Sequence, residues 1–210
     1  MPFTFQQYQT EGASYVNSPE DPEILGVAGS GVNSCVNRLN GFNWSWTIAS
    51  SGITFVAGQT DYTIPSGVRA VRALRIPSDS RIGFLPREVF NAELPDYQAA
   101  GDPKKYTHIN NFTAQKIRLS NAPSAAWVTS HPTGTLEYFA RIDNISTSGQ
   151  TLNLAPEVEE MIMDYVRMFV SARYDKDANQ TRYRNAKIDY EAGFQRIYSN
   201  EMNDQVQDQE

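Results

Sequence analysis

An acidic run between two predicted helices has the residue types of a calcium site. Asp175, Asp177 and Asn179 alternate as the first ligands of an EF-hand loop do. Such a loop also needs glycine at its sixth position for the turn and glutamate at its twelfth for bidentate ligation. This sequence has Gln180 and Ala186 there. We therefore predict that the run is a polar connection between two helices.

The sequence offers little else for metal binding or nucleophilic catalysis. Its single cysteine is Cys35, and its two histidines, His108 and His131, stand far from it. Zinc sites and Cys–His pairs need several such residues in a recognisable pattern. The glycine cluster over residues 26–31 is not followed by the Gly-Lys-Ser/Thr of a phosphate-binding loop. We expect no catalytic residue, no metal ligand and no cofactor, and hence a protein that is not an enzyme.

The composition is that of an acidic globular protein. Of the 210 residues 20% are charged, the formal net charge is −6 and the pI is about 5.0. This balance argues against a general nucleic-acid coat. No apolar run approaches the roughly 18 residues of a membrane span, and residues 1–10 lack the features of a secretory signal. We expect no membrane association.

Charge is distributed unevenly along the chain. Residues 69–118 hold nine Lys/Arg against five acidic residues, whereas residues 155–210 hold seven against twelve. Such asymmetry favours electrostatic pairing with a partner or a neighbouring subunit, although two solvated faces of a monomer would give the same pattern. The candidate interface residues are Arg69, Arg72, Arg75, Lys104 and Lys105.

Hydrophobic periodicity predicts an α+β protein with a β-rich middle domain between helical segments. Asp21 and Pro22 have the types of an N-cap and a first helical residue, and apolar residues then recur at helical spacing up to Leu39. Turn signals and β-branched residues dominate the middle of the chain, with a small helical insertion after Pro86. The predicted strands are Ile53–Val56, Tyr62–Ile64, Val68–Ile76, Ile82–Leu85, Tyr106–Ile109, Lys116–Leu119, Leu136–Ile142 and Thr151–Leu154.

The chain is accordingly expected to have five parts. Two C-terminal helices joined by a short connection should lie antiparallel, with Ile162, Tyr165 and Phe169 against Tyr190, Phe194 and Ile197. Together with the N-terminal helix they would form a bundle. The predicted parts are an N-terminal arm (1–22), a helix of the bundle (23–46), the β-rich domain (47–154), the helical hairpin (155–200) and a flexible acidic tail (201–210).

The order of several short motifs is more informative than any catalytic pattern. The first helix ends in a Trp-x-Trp segment, and a turn into a strand, a Gly-Asp-Pro segment, a short basic strand and two final helices follow. The set resembles the head-to-tail adaptors of tailed bacteriophages, the tail accessory or tubular type of short-tailed phages, over about residues 22–200. The motifs are Asn43–Trp46, Val56–Pro65, Gly101–Thr107, Lys116–Leu119 and Thr151–Leu154.

The resemblance implies a structural virion protein of the neck or tail, assembled in the bacterial host cytoplasm. It implies a ring, commonly of twelve copies, that docks beneath the portal protein, continues the DNA channel and presents a platform for a downstream tail or nozzle protein. DNA would pass through without specific binding. Family members reach the portal with C-terminal segments, which makes the tail the expected docking element. Its candidate residues are Glu201, Met202, Asp204, Val206 and Asp208.

Two other interpretations remain open at this point. One is a different tail-completion or baseplate subunit. The other is a nucleic-acid-binding module that uses the basic segment 69–118, for which salt-dependent DNA retention by the monomer would be the discriminating observation.

Overall fold

The computed structural model describes residues 2–77, 81–111, 114–176 and 180–207, and the chain divides into two compact units. The helical unit comprises Met1–Ser45 and Ile142–Glu210, and the sheet unit comprises Trp46–Arg141. The α+β class predicted from the sequence is confirmed. The predicted turn at residues 78–80, residues 177–179 of the acidic run and residues 208–210 of the tail lie outside the described residues.

The described helices divide between the two units. None of those in the described part of the chain is both long and apolar enough to cross a membrane. The helical unit contains α1, α2, α5 and α6, and the sheet unit contains α3 and α4. Their bounds are α1 Phe5–Tyr15, α2 Pro22–Leu39, α3 Arg87–Glu93, α4 Ala125–Ser130, α5 Pro156–Tyr174 and α6 Thr181–Gln207.

The predicted start of α2 is confirmed. The Asp21 carboxylate accepts hydrogen bonds from the backbone N–H groups of Glu23 and Ile24, and Pro22 occupies the first turn. This satisfies two of the helix's unpaired N–H groups, and proline loses no hydrogen bond there.

The prediction of an irregular arm over residues 1–22 is wrong for α1. Thr4 and Gln7 form a capping box, in which the Thr4 hydroxyl accepts from the Gln7 N–H and the Gln7 side chain accepts from the Thr4 N–H. Phe5, Tyr8 and Ala13 are buried at helical spacing. Helix α1 packs against both α2 and α5, so burial of this face stabilises a helix that is short and carries a glycine.

Gly12→Ala is expected to destabilise the helical unit, although alanine is the better helix former. An added Cβ at Gly12 would lie 2.6 Å from Cγ1 of Val166 and 3.1 Å from Cβ of Ala28. Overpacking costs about 1–3 kcal/mol, which outweighs a gain of up to about 1 kcal/mol in helix propensity. The matched control is Gly26→Ala on α2, where nothing lies within 4 Å and stability should rise. Urea unfolding followed by helical circular dichroism compares them; equal effects would contradict the close packing.

The two C-terminal helices lie antiparallel, as predicted. Met161 near the start of α5 packs on Gly193 in the second half of α6, whereas the end of α5 meets the beginning of α6. Between these contacts the rings of Tyr165 and Tyr190 lie 5.0 Å apart. Of the predicted contact residues, Ile162, Tyr165, Tyr190 and Ile197 are buried, whereas Phe169 and Phe194 are half-buried. Phe169 also faces α2, because its ring fills the space beside Gly31.

The sheet unit contains nine strands among the described residues. The predicted hairpin at residues 106–119 is confirmed by the antiparallel pairing of β6 with β7, and β4 pairs antiparallel with β3. The prediction of a strand at Thr151–Leu154 is wrong: this segment belongs to the helical unit, and only Thr151 forms a bridge, to Thr4. The strands are β1 Ile48–Thr54, β2 Asp61–Thr63, β3 Val68–Arg75, β4 Arg81–Phe84, β5 Ala100–Gly101, β6 Lys105–Asn111, β7 Ala114–Leu119, β8 Ala122–Pro123 and β9 Thr133–Ala140.

The main sheet has the strand order β1-β9-β3-β4-β6-β7-β2, so β1 and β2 are its edges. All its neighbours are antiparallel except β4 and β6, which are joined through α3 and run parallel. Register shifts in β3 let Val68, Val71 and Leu74, spaced by three, reach one core. Helix α4, which the sequence analysis missed, adds Trp127 to that core, its ring 5.0 Å from Phe55.

Candidate interaction surfaces

The single cysteine has no reactive character. Cys35 is fully buried on α2, and burial raises the pKa of its thiol to about 12. A thiol with so high a pKa is neutral at physiological pH and a poor nucleophile. It fills space between helices, as a small apolar side chain would.

The two histidines are separate and each has aromatic neighbours. The half-buried His108 ring lies 5.4 Å from Phe84 and 6.0 Å from Tyr106, and burial lowers its pKa. His131 lies at the end of α4, its Nδ1 3.1 Å from the carbonyl oxygen of Trp127. No group of three metal-ligating side chains occurs among the described residues.

Two of the candidate interface arginines share one carboxylate. Nε of Arg75 lies 2.6 Å from Oε1 of Glu137, and Nη1 of Arg72 lies 4.0 Å from Oε2 of the same side chain. Strand pairing sets this arrangement, because Ala73, between the two arginines on β3, is opposite Glu137 on β9. The two guanidinium groups therefore share the carboxylate of Glu137.

The other candidate interface residues are Lys104, Lys105 and Arg69. Lys104 and Lys105 are exposed, and neither forms an ion pair within the part of the chain that the structure describes. Their backbone N–H groups donate to Oγ of Ser120, which fixes the segment while leaving both ammonium groups in solvent. Nη2 of Arg69 is shielded and has no hydrogen-bond partner among the described residues, and burial lowers the pKa of its guanidinium.

Arg118 forms a second ion pair, so its positive charge is compensated within the subunit. Its guanidinium donates two hydrogen bonds to Asp61, at 2.7 and 2.8 Å, and lies 4.3 Å from the ring centroid of Tyr97. The hydrogen bond from Arg118 lowers the pKa of the Asp61 carboxyl, and the same bond raises the pKa of Arg118. Arg118 thus joins β7 to β2 and to the segment after α3.

The C-terminal segment departs from its expected form. We expected residues 201–210 to be a flexible tail, but α6 continues through Gln207. Residues 201–207 contain neither glycine nor proline, so nothing in their types ends the helix. Met202 is 46% exposed and is available for contact. Asp204 and Val206 lie in the same helical stretch, whereas Asp208 is outside the described residues.

Glu201 has an internal role. It is only 6% exposed, and its carboxylate accepts from the N–H of Ser45 at 2.5 Å and from the Ser45 hydroxyl at 2.9 Å. Ser45 begins the short 3₁₀ turn Ser45–Thr47 that precedes β1. The contact fixes the last turns of α6 to the end of the N-terminal segment. Both carboxylate oxygens are thus used within the subunit, which argues against the expectation that Glu201 is a docking residue.

Sequence reasoning missed the acidic partners in these contacts. Glu137 and Asp61 lie 62 and 57 residues from the arginines they bind, and Ser45 lies 156 residues from Glu201. The alternation in β9 was visible and could have placed Glu137 on the face opposite Leu136. No local signal in the sequence identifies the other two pairs.

The family comparison covers nearly the whole chain. A model of the SU10 adaptor protein family matches residues 3–210. The chain belongs to that family. This confirms the resemblance to phage head-to-tail adaptors and identifies a bacteriophage structural protein of a family that is not enzymatic. The SU10 adaptor family implies a place in the virion neck and contacts with portal and tail proteins in general. No curated protein gives a significant match.

Proposed function

We propose that this protein forms a ring of twelve copies beneath the portal, where it continues the DNA channel and docks a downstream tail or nozzle protein. The match of the SU10 adaptor family to residues 3–210 is the observation that carries the proposal. Two folded units in one chain fit such a role, since one can serve the portal side and the other the lateral or tail side.

The electrostatics support a channel through which DNA moves. Each Lys/Arg contact with phosphate releases counterions and adds affinity, so a lining rich in free cations would retain DNA. The protein has a net charge of −6, and the side chains of Arg75 and Arg118 are engaged by carboxylates. These ion pairs weaken the case for a nucleic-acid-binding module built on residues 69–118. DNA passes without specific binding in this proposal.

The ring needs two complementary lateral faces, because a closed ring repeats one heterologous contact. We assign the basic face to Arg69, Arg72, Arg75, Lys104 and Lys105, and the acidic face to the C-terminal helices of the neighbouring subunit. The exposed ammonium groups of Lys104 and Lys105, which form no ion pair among the described residues, support this choice.

Lys104→Glu is expected to weaken ring assembly by about tenfold or more, with a larger effect at low salt, where screening is weakest. The side chain is exposed and unpaired in the described chain, so folding should be unaffected. Arg141→Glu changes the net charge equally and should not weaken assembly, because the exposed Arg141 belongs to neither proposed face. Analytical ultracentrifugation at two salt concentrations compares the variants. Equal behaviour of both would show that the charge asymmetry is only a surface pattern.

Native mass spectrometry of the protein mixed with the portal of the same virus tests the proposed function as a whole. The expected result is a complex of portal with twelve copies of this chain, and no retention of the free subunit on immobilised DNA. Salt-dependent DNA retention without portal binding would instead favour the nucleic-acid-binding function.

A further inference from the structure

A pocket of about 540 Å³ lies in the helical unit, where the N-terminal segment meets the start of α5. Its apolar walls include the half-buried side chains of Phe3 and Leu154, and the exposed Glu160 gives it an acidic rim. A pocket with such walls suits an apolar side chain that has cations beside it. The lining residues are Pro2, Phe3, Leu154, Pro156, Glu159 and Glu160.

One buried carboxylate holds both apolar walls of the pocket in place. Oε2 of Glu159 accepts from the N–H of Phe3 at 2.9 Å, and Oε1 accepts from the N–H of Leu154 at 3.3 Å. The Phe3 ring also lies 5.4 Å from the ring of Tyr8 on α1. Because the walls are fixed by the fold of the helical unit, filling the pocket costs little ordering of its own residues.

The sheet unit exposes an aromatic side chain that matches this pocket. Strand alternation puts Phe84 on the same face of β4 as Ile82, which belongs to the core, yet Phe84 is 51% exposed. Its ring lies 5.6 Å from the ring of Tyr106 and 5.4 Å from the ring of His108. Phe84 is therefore a supported apolar projection at the end of the core.

Positive charge lies near Phe84. The Lys105 side chain lies against Gly83, since a Cβ added there would be 3.0 Å from Nζ of Lys105. Burial raises the pKa of Tyr106 to about 12 and Arg81 opposes that rise, which places Arg81 near the same aromatic group. Neither Arg81 nor Lys105 forms an ion pair in the described parts of the chain. The projection thus has the charge opposite to that of the pocket rim.

We propose that Phe84 of one subunit inserts into the pocket between Phe3 and Leu154 of a second copy of this chain, with Lys105 of the first copy beside Glu160 of the second. Insertion of a projection into a different surface is a heterologous contact, and a closed ring repeats such a contact between all its subunits. The inference rests on the proposed ring and names the residues at the centre of its lateral contact.

Other exposed apolar side chains of the chain fit the pocket less well. Met202 belongs to an acidic segment, so like charges would oppose its approach to Glu160. Val56 has no charged residue near it in sequence, since residues 53–60 are all uncharged. Phe84 combines an exposed ring with nearby cations, which is the combination that the acidic apolar pocket requires.

Phe84→Ala should raise the subunit concentration needed to complete the ring on the portal about 30-fold or more, the loss expected for a buried aromatic anchor. The variant should fold, because half of the Phe84 surface is already in solvent. Val56→Ala is the matched control, a similarly exposed side chain of the same unit, and should assemble normally. Native mass spectrometry counts the bound copies. Normal assembly of Phe84→Ala, or an equal loss with Val56→Ala, would overturn the inference.

Photo-crosslinking identifies the occupant of the pocket directly. A full-length subunit that carries p-benzoylphenylalanine in place of Phe84 is mixed with isotopically labelled wild-type subunits on the portal and irradiated. The expected crosslink joins position 84 to residues 2–3 or 153–160 of a labelled subunit. A crosslink within one chain, to another part of a labelled subunit or to the portal would overturn the inference and leave the ring standing. Wild-type subunits that form no ring on the portal would overturn the proposed function, and the inference with it.

Discussion

Trp44→Ala should lower the free energy of unfolding of the helical unit by about 3–5 kcal/mol, the range for large buried aromatics. The Trp44 side chain is 1% exposed, and its ring lies 6.1 Å from Phe194 and 6.4 Å from Tyr198, both edge-to-face. Its indole N–H donates at 2.9 Å to the carbonyl of Leu39, the last residue of α2. The substitution removes the ring that joins the end of α2 to α6 and one of the two donors to that carbonyl, the other being the N–H of Phe42.

Phe42→Ala is the matched control for this substitution. Phe42 contacts the same cluster, with its ring 5.6 Å from Phe194, but it is 37% exposed. Its loss should cost less than half as much, because much of its surface is already hydrated. Circular dichroism of the helices against urea measures both variants. Equal losses for Trp44→Ala and Phe42→Ala would show that the ring of Trp44 does not anchor the helical unit.

Local signals explain which elements of the fold could be predicted. The cap at Asp21 and the alternation in β6 and β7 act over a few residues, so they are visible in the sequence. Helix α1 was missed because its aromatic residues looked irregular until α2 and α5 supplied a surface for Phe5 and Tyr8 to bury against. The strand expected at Thr151–Leu154 failed for the converse reason, since only Thr151 finds a pairing partner.

For the candidate interface, the sequence shows the number of charged residues but not the ion pairs that they form. Counting charges in residues 69–118 gives an excess of basic residues but could not reveal that Glu137 and Asp61 engage Arg75 and Arg118. These pairs are created by strand order, and strand order is a property of the whole sheet. The partner of Glu201 could not be predicted either, because Ser45 is distant in sequence and only the fold brings it beside Glu201.

Removal of residues 202–210 should leave the subunit folded but reduce its affinity for the portal by about 100-fold or more, which corresponds to roughly 2.7 kcal/mol. Met202 is 46% exposed, and position 206 follows one helical turn later, so the segment can offer a small apolar face to a partner. The sequence of the removed segment also contains Asp204, Asp208 and Glu210, and their negative charge favours a partner surface with basic residues.

The truncation must spare Glu201, because its carboxylate binds the Ser45 N–H and hydroxyl. Cutting before Glu201 would leave a backbone donor at Ser45 without its partner and would confuse a loss of docking with a loss of stability. Ile188→Ala is the control within the full-length chain, since Ile188 is 63% exposed on α6 but lies outside the segment. Surface plasmon resonance with immobilised portal measures both variants. A truncated subunit that binds the portal as tightly as the full chain would make the segment a solubilising extension, and portal contact would then have to come from another surface of the adaptor.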